Sequence, residues 1–417
     1  MDSANRTRPP LEGPLKGIRV VELAVWHNGG GAGYMLGDLG ADVIKIEQPV
    51  TGDPSRGVTQ AFGHNLEIPG GRALWFEMVN RSKRSITLDL KSARGREALH
   101  RLISRADVFF TNFTSDVVNR LGVDYESLSA VNPRLIWAIN TAYGTRGPLA
   151  DKHGYDSSIQ AHSGYMFRMG NAEGGEPMIV GGGTFDQMGA TMLVYGIMAA
   201  LIARERRGVG QAVEASMLGS SIHLQHDNFH MYLWKNDSTF GTSSRASLDP
   251  FVNWYRCADG QWIMLNEPHP ERVWEEFCSV MGLDGVADDP RFNTLACRLE
   301  NAAAFREILI KRFASMPRQA WADHFSREKV KFVYTLVKTV AESARDPQAL
   351  ANEYVVDTEH PTMGATKTTG PPIKFSKTPA AVGPAAPEFG QHTEEILTEV
   401  CGYDWAEVVE LRESGVI

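Results

Sequence analysis

Four cysteines, Cys257, Cys278, Cys297 and Cys401, are too few and too far apart for a disulfide framework or a Cys-x-x-Cys pair, so a reducing cytosol is the simplest setting. Basic surplus is missing too. The 42 Lys and Arg stand against 50 Asp and Glu, a net charge of −8 with a pI near 5.9, which argues against a general nucleic-acid binder. The longest uncharged apolar run, Ala190 to Ala203, falls short of the ~20 residues that cross a bilayer, so the expectation is a buried helix and no membrane. The first ten residues, MDSANRTRPP, hold no apolar stretch of the signal-peptide kind and read as a short arm. Repeats and low-complexity tracts are absent. What is present is a 417-residue chain, 43% hydrophobic and 22% charged, enough for a core in two or three domains without a staple.

The order of elements points to a parallel α/β sheet. An apolar strand (Ile18 to Leu23) leads into the glycine-rich turn Gly29-Gly30-Gly31-Ala32-Gly33, a helix (about Gly33 to Leu39) and a second strand (Val43 to Ile46). A strand at Ser85 to Leu90, a helix from about Ser92 to Ser104, and strands at Asp107 to Thr111 and Leu135 to Asn140 continue the alternation. A long helix is expected over 187–205, stopped by the glycine of RERRGVGQ. Beyond about residue 225 the pattern changes to a hairpin about Asp259-Gly260, with helices at about 271–281 and 301–315. The stretch from Thr358 to Pro387 reads as a wrapping connection, followed by a short helix pair near 393–413.

Each candidate for chemistry has a plain alternative. The glycine run after the first strand, with Glu47 ending the second, invites a dinucleotide fingerprint, but Leu36 leaves G-x-G-x-x-G incomplete and the glycines start too late. A helix N-terminus with glycines still offers N–H groups to an anion. His223, His226 and His230 would share one face of a continuous helix, yet no Glu or further ligand accompanies them and no metal is expected. The basic residues of Asn80-Arg81-Ser82-Lys83-Arg84-Ser85, with Arg56 and Arg120, suit either phosphates or solvent. Asp186 follows Gly181-Gly182-Gly183-Thr184-Phe185 and precedes the apolar helix. Its default reading is an N-cap, although the glycines also leave room for a substrate carbonyl beside an ionised carboxylate.

In order along nearly the whole chain, LKGIRVVELA, LGDLGADVIKIEQP, GDPSRG, NRSKRSITLDLKSARGREAL, ADVFFTNF, RLGVDYESLSAVNPRLIWA, TAYGTRGPLA, GYDSSIQAHSGYM, the Asp186 turn, RRGVGQAVEASML and FGQHTEEIL resemble the family III CoA-transferases. The resemblance implies an α/β fold in an interlocked homodimer. A large Rossmann-like domain would come from both chain ends (1–225 and 345–417), and a smaller α+β domain from 226–344. It implies a cytoplasmic enzyme moving CoA from an acyl-CoA to a carboxylic acid through an aspartyl anhydride and an aspartyl-CoA thioester on Asp186, with coenzyme A as co-substrate and no tightly bound cofactor. Carried over by position, Val25, Trp26, Asn28, Arg56, Asn112, Phe113 and Arg120 contact CoA, while His27 and Tyr155 orient the substrate. Gln48, Thr114 and His153 depart from the formyl-CoA pattern, and Asn266-Glu267-Pro268-His269-Pro270 takes the place of its glycine loop. An acid larger than oxalate is expected.

Three other readings compete. A racemase of the α-methylacyl-CoA type has a histidine where this chain has Tyr155 in Gly154-Tyr155-Asp156, and a phenol with a pKa near ~10 is a poor base at neutral pH. A non-catalytic CoA-binding protein has no need of Asp186. A nicotinamide oxidoreductase conflicts with the incomplete fingerprint.

Overall fold

A computed structural model describes residues 12–170, 175–238, 249–283 and 285–417; the expected N-terminal arm lies outside them. The alternation of apolar strands and amphipathic helices closes into a six-stranded sheet: β1 (Arg19–Leu23), β2 (Asp42–Glu47), β3 (Lys83–Thr87), β4 (Val108–Thr111), β5 (Ile136–Thr141) and β6 (Gln211–Ser216). Its order is β6-β5-β4-β1-β2-β3 and every pairing is parallel. This is the doubly wound order, and the chain reverses direction across the sheet between β1 and β4.

Both faces are apolar because neighbouring residues point to opposite sides. Val21, Ile44 and Phe109 join Leu99 and Leu102 of helix α2 (Ala93–Ile103) on one side, together with Leu397 and Leu411 from the chain's end. Val20, Val43 and Phe110 meet Leu36 of α1 (Trp26–Asp38) on the other, with Leu193 and Ile197 of α4 (Thr184–Arg207). Helix α3 (Asp156–His162) lies between β5 and α4 in the chain.

The glycine run is not a turn. Gly29 to Gly33 lie inside α1, which begins at Trp26 rather than near residue 33. Close packing explains why glycine is tolerated within the helix. A Cβ on Gly33 would sit 1.8 Å from Glu22 Oε2, one on Gly30 2.9 Å from Val79, and one on Gly31 3.0 Å from the Ala190 methyl of α4. The glycines are therefore the surface through which α1 approaches its neighbours.

Helix α4 also departs from expectation: it runs 24 residues and is long and apolar enough, by length and composition alone, to cross a membrane. It is not wholly buried. Leu193, Ile197 and Leu201 face the sheet, whereas Tyr195 is 70% exposed and Ile202 is exposed as well. Gly208, with φ +78, ends it as the glycine stop requires.

By contact the chain forms two units, Met1–Met166 with Met178–Phe240 and Leu350–Ile417, and Phe167–Pro177 with Gly241–Ala349, so far as these residues are described. The second unit has its own sheet, β7 (Val252–Arg256), β8 (Trp262–Asn266) and β9 (Tyr334–Leu336), whose hairpin turns at Gly260 with φ +78. Helices Trp274–Met281, Ala302–Phe313 and Arg318–Glu328 pack an aromatic core with it, including Tyr255, Phe277, Phe313 and Trp321. In the first unit the stretch read as a plain connection from Thr358 overlaps a hairpin, β10 (Val355–His360) and β11 (Gly364–Thr369). The chain then returns along β3, where His392 N donates to Ser85 O at 2.9 Å.

Candidate active site

The site sits at the carboxyl ends of β1 and β4, where the sheet order reverses and a crevice opens. Leaving β1, the chain reaches Val25, whose peptide is held from both sides by Asn112 after β4: Val25 N donates to Asn112 Oδ1 at 3.1 Å and Asn112 Nδ2 donates to Val25 O at 2.7 Å. Next comes Trp26 with φ +60, a left-handed backbone that costs a bulky residue about 1–3 kcal/mol. A buried ionic cluster fixes the approach to it. Lys45 donates to Ala24 O at 2.6 Å, pairs with Glu22 and Asp53 at 2.9 Å each, and Lys83 joins Glu22 at 2.8 Å and donates to Gly30 O at 2.9 Å.

These charges set one another's protonation. Burial opposes the charge on Lys45, but Asp53 and Glu22 outweigh it and push its pKa above the usual lysine range. For Lys83 burial wins, and its pKa falls to about 8. Burial also opposes ionisation of Asp53 and Glu47, yet Lys45 for the first and the Arg56 hydrogen bond for the second hold both below the ordinary carboxylate range.

Asp186 occupies the third position of α4, so the N-cap reading is corrected: the cap position belongs to Gly183, with φ +67. The capping carboxylate comes from α3 instead. Asp156 Oδ2 accepts from Phe185 N at 2.5 Å and from Asp186 N at 3.3 Å, while its neighbour Gln160 ties down Val180 through bonds of 2.7 and 2.9 Å. The Asp186 side chain is thereby released for other work. Burial raises its pKa to about 6, opposed by the charge of His27 and assisted by that of Asp156.

His27, the second residue of α1, meets Asp186 around Gly183. A Cβ placed on Gly183 would stand 2.9 Å from His27 Nδ1 and 3.4 Å from Asp186 Oδ2, so glycine both permits the backbone and lets the two side chains come this close to it. Gly31 against Ala190, and Gly189 against Asn28, allow α1 and α4 the approach that brings the two side chains together. Asn28 is buried, and Asn140 Nδ2 donates to its Oδ1 at 2.5 Å.

A cavity of about 200 Å³ opens beside this loop, lined by Val25, Phe113, Gln48, Asp53, Lys91 and Leu121 among others. Val25, Asn112 and Phe113 therefore converge. Arg56 stands nearby with its guanidinium engaged, making two 2.7 Å bonds to Glu47 and lying 3.7 Å over the Phe76 ring. Arg120 is exposed and paired with Asp116, and Tyr155 is 67% exposed ahead of α3. Gln48 caps its own turn through Val50 N and Thr51 N at 2.7 Å.

The basic segment after Asn80 is neither a solvated face nor an open phosphate site. Arg81 pairs with Asp38, Lys83 with Glu22 and Arg84 with Asp42. The histidine triplet does not share a helix either, because Gln225 separates the helix Met217–Leu224 from His226–Lys235. Among the described residues no group of three or more His, Cys, Asp or Glu side chains is placed to hold a metal. Sequence reading missed Asp156 and Gln187 as neighbours of Asp186; the available signal was Asp156 opening a helix while the glycines before α4 supply no side-chain cap.

The model of CoA-transferase family III matches residues 15–393. A succinate–glutarate CoA-transferase of Agrobacterium fabrum is 32% identical, over 94% of this chain and 97% of that protein. A formyl-CoA:oxalate CoA-transferase of Streptomyces avermitilis is also 32% identical, over 97% of this chain and 99% of its own. Among solved structures, a CaiB/BaiF family protein from Brucella suis superimposes with a TM-score of 0.80 at 30% identity, covering 93% of this chain and 100% of that one.

Proposed function

Since the chain belongs to CoA-transferase family III and is an enzyme that transfers CoA, we propose that it does so by covalent catalysis on Asp186. The Asp186 carboxylate attacks the thioester carbonyl of a donor acyl-CoA; the C–S bond breaks, leaving an aspartyl–acyl anhydride and CoA thiolate. The thiolate then attacks the aspartyl carbonyl, and the donor acid leaves as its carboxylate. Now the acceptor carboxylate attacks the aspartyl-CoA thioester, thiolate departs again, and its attack on the acceptor's acyl carbon regenerates Asp186 and releases the new acyl-CoA. Each step exchanges one anionic leaving group for another, so no proton need move.

The observation that carries this reading is the half-buried carboxylate of Asp186, with a pKa raised to about 6, gathered with His27 around the bare Cα of Gly183. Such a carboxylate is ionised at neutral pH and more basic than an exposed one, which favours attack. His27 is assigned to orient the acceptor, and Val25, Asn112 and Phe113 to the CoA chain at the cavity beside them. Trp26 and Asn28 hold that loop, and Arg56 and Arg120 supply positive charge around it. Tyr155 lies at the solvent edge. The two contact units are assigned as the large and small domains, with coenzyme A as co-substrate and no resident cofactor.

The exposed apolar residues Tyr195 and Ile202, and separately Tyr232, Leu233 and Trp234 at 77% exposure, support a second copy of the chain as their cover. Incubation with acyl-CoA, trapping with hydroxylamine or borohydride, and peptide mass analysis tests the route. Modification at Asp186, and loss of exchange in Asp186→Asn by at least about a thousandfold, is the expected result. An Asp186→Asn enzyme exchanging CoA at the normal rate overturns it.

A further inference from the structure

Gln187 follows Asp186 on α4, yet its side chain turns toward α1. Its Oε1 lies 2.9 Å from His27 Nε2, and its own Nε2 donates to Tyr34 Oη at 3.1 Å. Met35 Sδ sits 3.9 Å from that same amide nitrogen. A thioether sulfur only accepts, so it favours the amide orientation with nitrogen toward Tyr34 and oxygen toward His27. An amide oxygen carries no proton. The imidazole nitrogen facing it must therefore bear one, whether the ring is neutral or charged. The consequence falls on the other nitrogen: Nδ1, which has no protein hydrogen-bond partner among the described residues, lies against the bare Cα of Gly183 beside Asp186 and is the only place on the ring where protonation can change.

We propose that Gln187 is a positioning residue that fixes His27 with Nε2–H buried and Nδ1 toward Asp186, and that the protonated Nδ1–H is the donor that admits an anionic acceptor acid. This rests on the covalent route above and assigns the control of acceptor binding within it. Charge explains the need. An incoming carboxylate meets the uncharged aspartyl-CoA thioester on α4 and, behind it, the Asp156 carboxylate on α3. The side chain of α1 that acts on Asp186 is His27, which favours its carboxylate when protonated. The other charges around this ring are committed: Arg81 lies 4.7 Å from the Tyr34 ring centroid and is paired with Asp38, Asp53 is paired with Lys45 and lies 3.4 Å from Trp26 N, and Lys83 below α1 is paired with Glu22. Loss of the Nδ1 proton removes both the donor and the local positive charge.

The test measures acceptor KM against pH with saturating acyl-CoA, for the natural chain, Gln187→Leu and Gln187→Glu, using glutarate and succinate as acceptors. Long-range proton–nitrogen NMR on histidine-labelled protein, with His27→Gln assigning the signal, reads the tautomer directly. The natural chain is expected to show His27 as the Nε2–H form, and acceptor KM rising about tenfold per pH unit as His27 deprotonates. Gln187→Glu should carry that rise to higher pH, because a carboxylate at Nε2–H favours the imidazolium. Gln187→Leu should mix the tautomers and raise acceptor KM about tenfold, the worth of one lost hydrogen bond, with a smaller change in kcat. A natural chain with His27 as the Nδ1–H form, a Gln187→Glu profile that rises where the natural one does, or a Gln187→Leu loss shared equally by kcat and both KM values overturns the proposal. Because the NMR readout needs no turnover, an Asp186→Asn enzyme that still exchanged CoA would sink the covalent route while leaving the assignment of the tautomer to be judged on its own signal.

Discussion

The interior beneath the site and the interior of the smaller unit are filled in opposite ways. Under β1 and α1, beside the apolar residues, lies a buried ionic set, Glu22, Lys45, Asp53, Lys83 and Glu47, paired and hydrogen-bonded to backbone at Ala24 and Gly30. In the smaller unit the corresponding set is one of rings: Phe251 4.7 Å from Phe277, Tyr255 stacked on Phe313 at 4.9 Å, Trp321 5.3 Å from Phe325. A ring cluster is non-directional and stabilises through area removed from water. An ion pair gains little net free energy on burial, because desolvation offsets attraction, but it fixes atoms in place and is costly to leave half-made. The first kind of interior holds a unit together. The second holds a strained loop in register, here the turn from Ala24 to Trp26.

Breaking the ionic interior on one side should have the largest effect. Lys45→Met leaves Glu22 and Asp53 without their shared cation and is expected to cost about 3–5 kcal/mol in denaturant unfolding. Removing charge in balance, as in Glu22→Met with Lys83→Met, should recover most of that stability without recovering CoA exchange. Recovery of both would mean the cluster is only filler.

Trp321→Ala in the aromatic interior is expected to cost about 3–4 kcal/mol by cavity formation. Below the unfolding transition, the KM for acyl-CoA should stay within about twofold. An equal fall in stability and CoA affinity would erase the contrast between the two interiors.

Asp186 sharpens it further, since this carboxyl is held in the fold against its preference. Its folded pKa of about 6 lies above the ordinary 3.8, so the folded chain binds the proton more readily and loses stability as pH rises from about 4 through 6. Discounted for its partial exposure, the strain at pH 7 is about 1–2 kcal/mol. Asp186→Asn should thus be more stable than the natural chain at pH 7 and nearly equal to it at pH 4, as calorimetry would show. In the natural enzyme, the acid limb of kcat/KM should rise through about pH 6 as Asp186 ionises. The smallest effect concerns Asp156→Asn, which keeps a capping oxygen and removes a charge. The same limb should move down by about half a pH unit, and a limb that moves up would contradict the part assigned to Asp156.

Much of this could be read in the chain itself. The strand and helix periodicities foretold the parallel sheet, and the RERRGVG stop marked where α4 ends at Gly208. Asp186 stood out because glycines preceded it, but the local rule made it a cap; the cap is a carboxylate 30 residues earlier, and no local rule reports a partner at that distance. Likewise a glycine run after a strand suggests a turn, whereas close contacts with Val79, Ala190 and Glu22 account for it inside a helix. Arg81, Lys83 and Arg84 looked available for phosphate until their carboxylate partners were known.

The sequence by itself determined the layered α/β architecture and the family, because alternation, helix stops and long ordered motifs are properties of neighbouring residues. The tertiary structure decided which carboxylate caps and which is free, and which nitrogen of His27 meets Asp186. It also decided which cations are spent on burial. Those outcomes depend on approach between segments distant in the chain, through which desolvation and pairing set the charge of every group at the site.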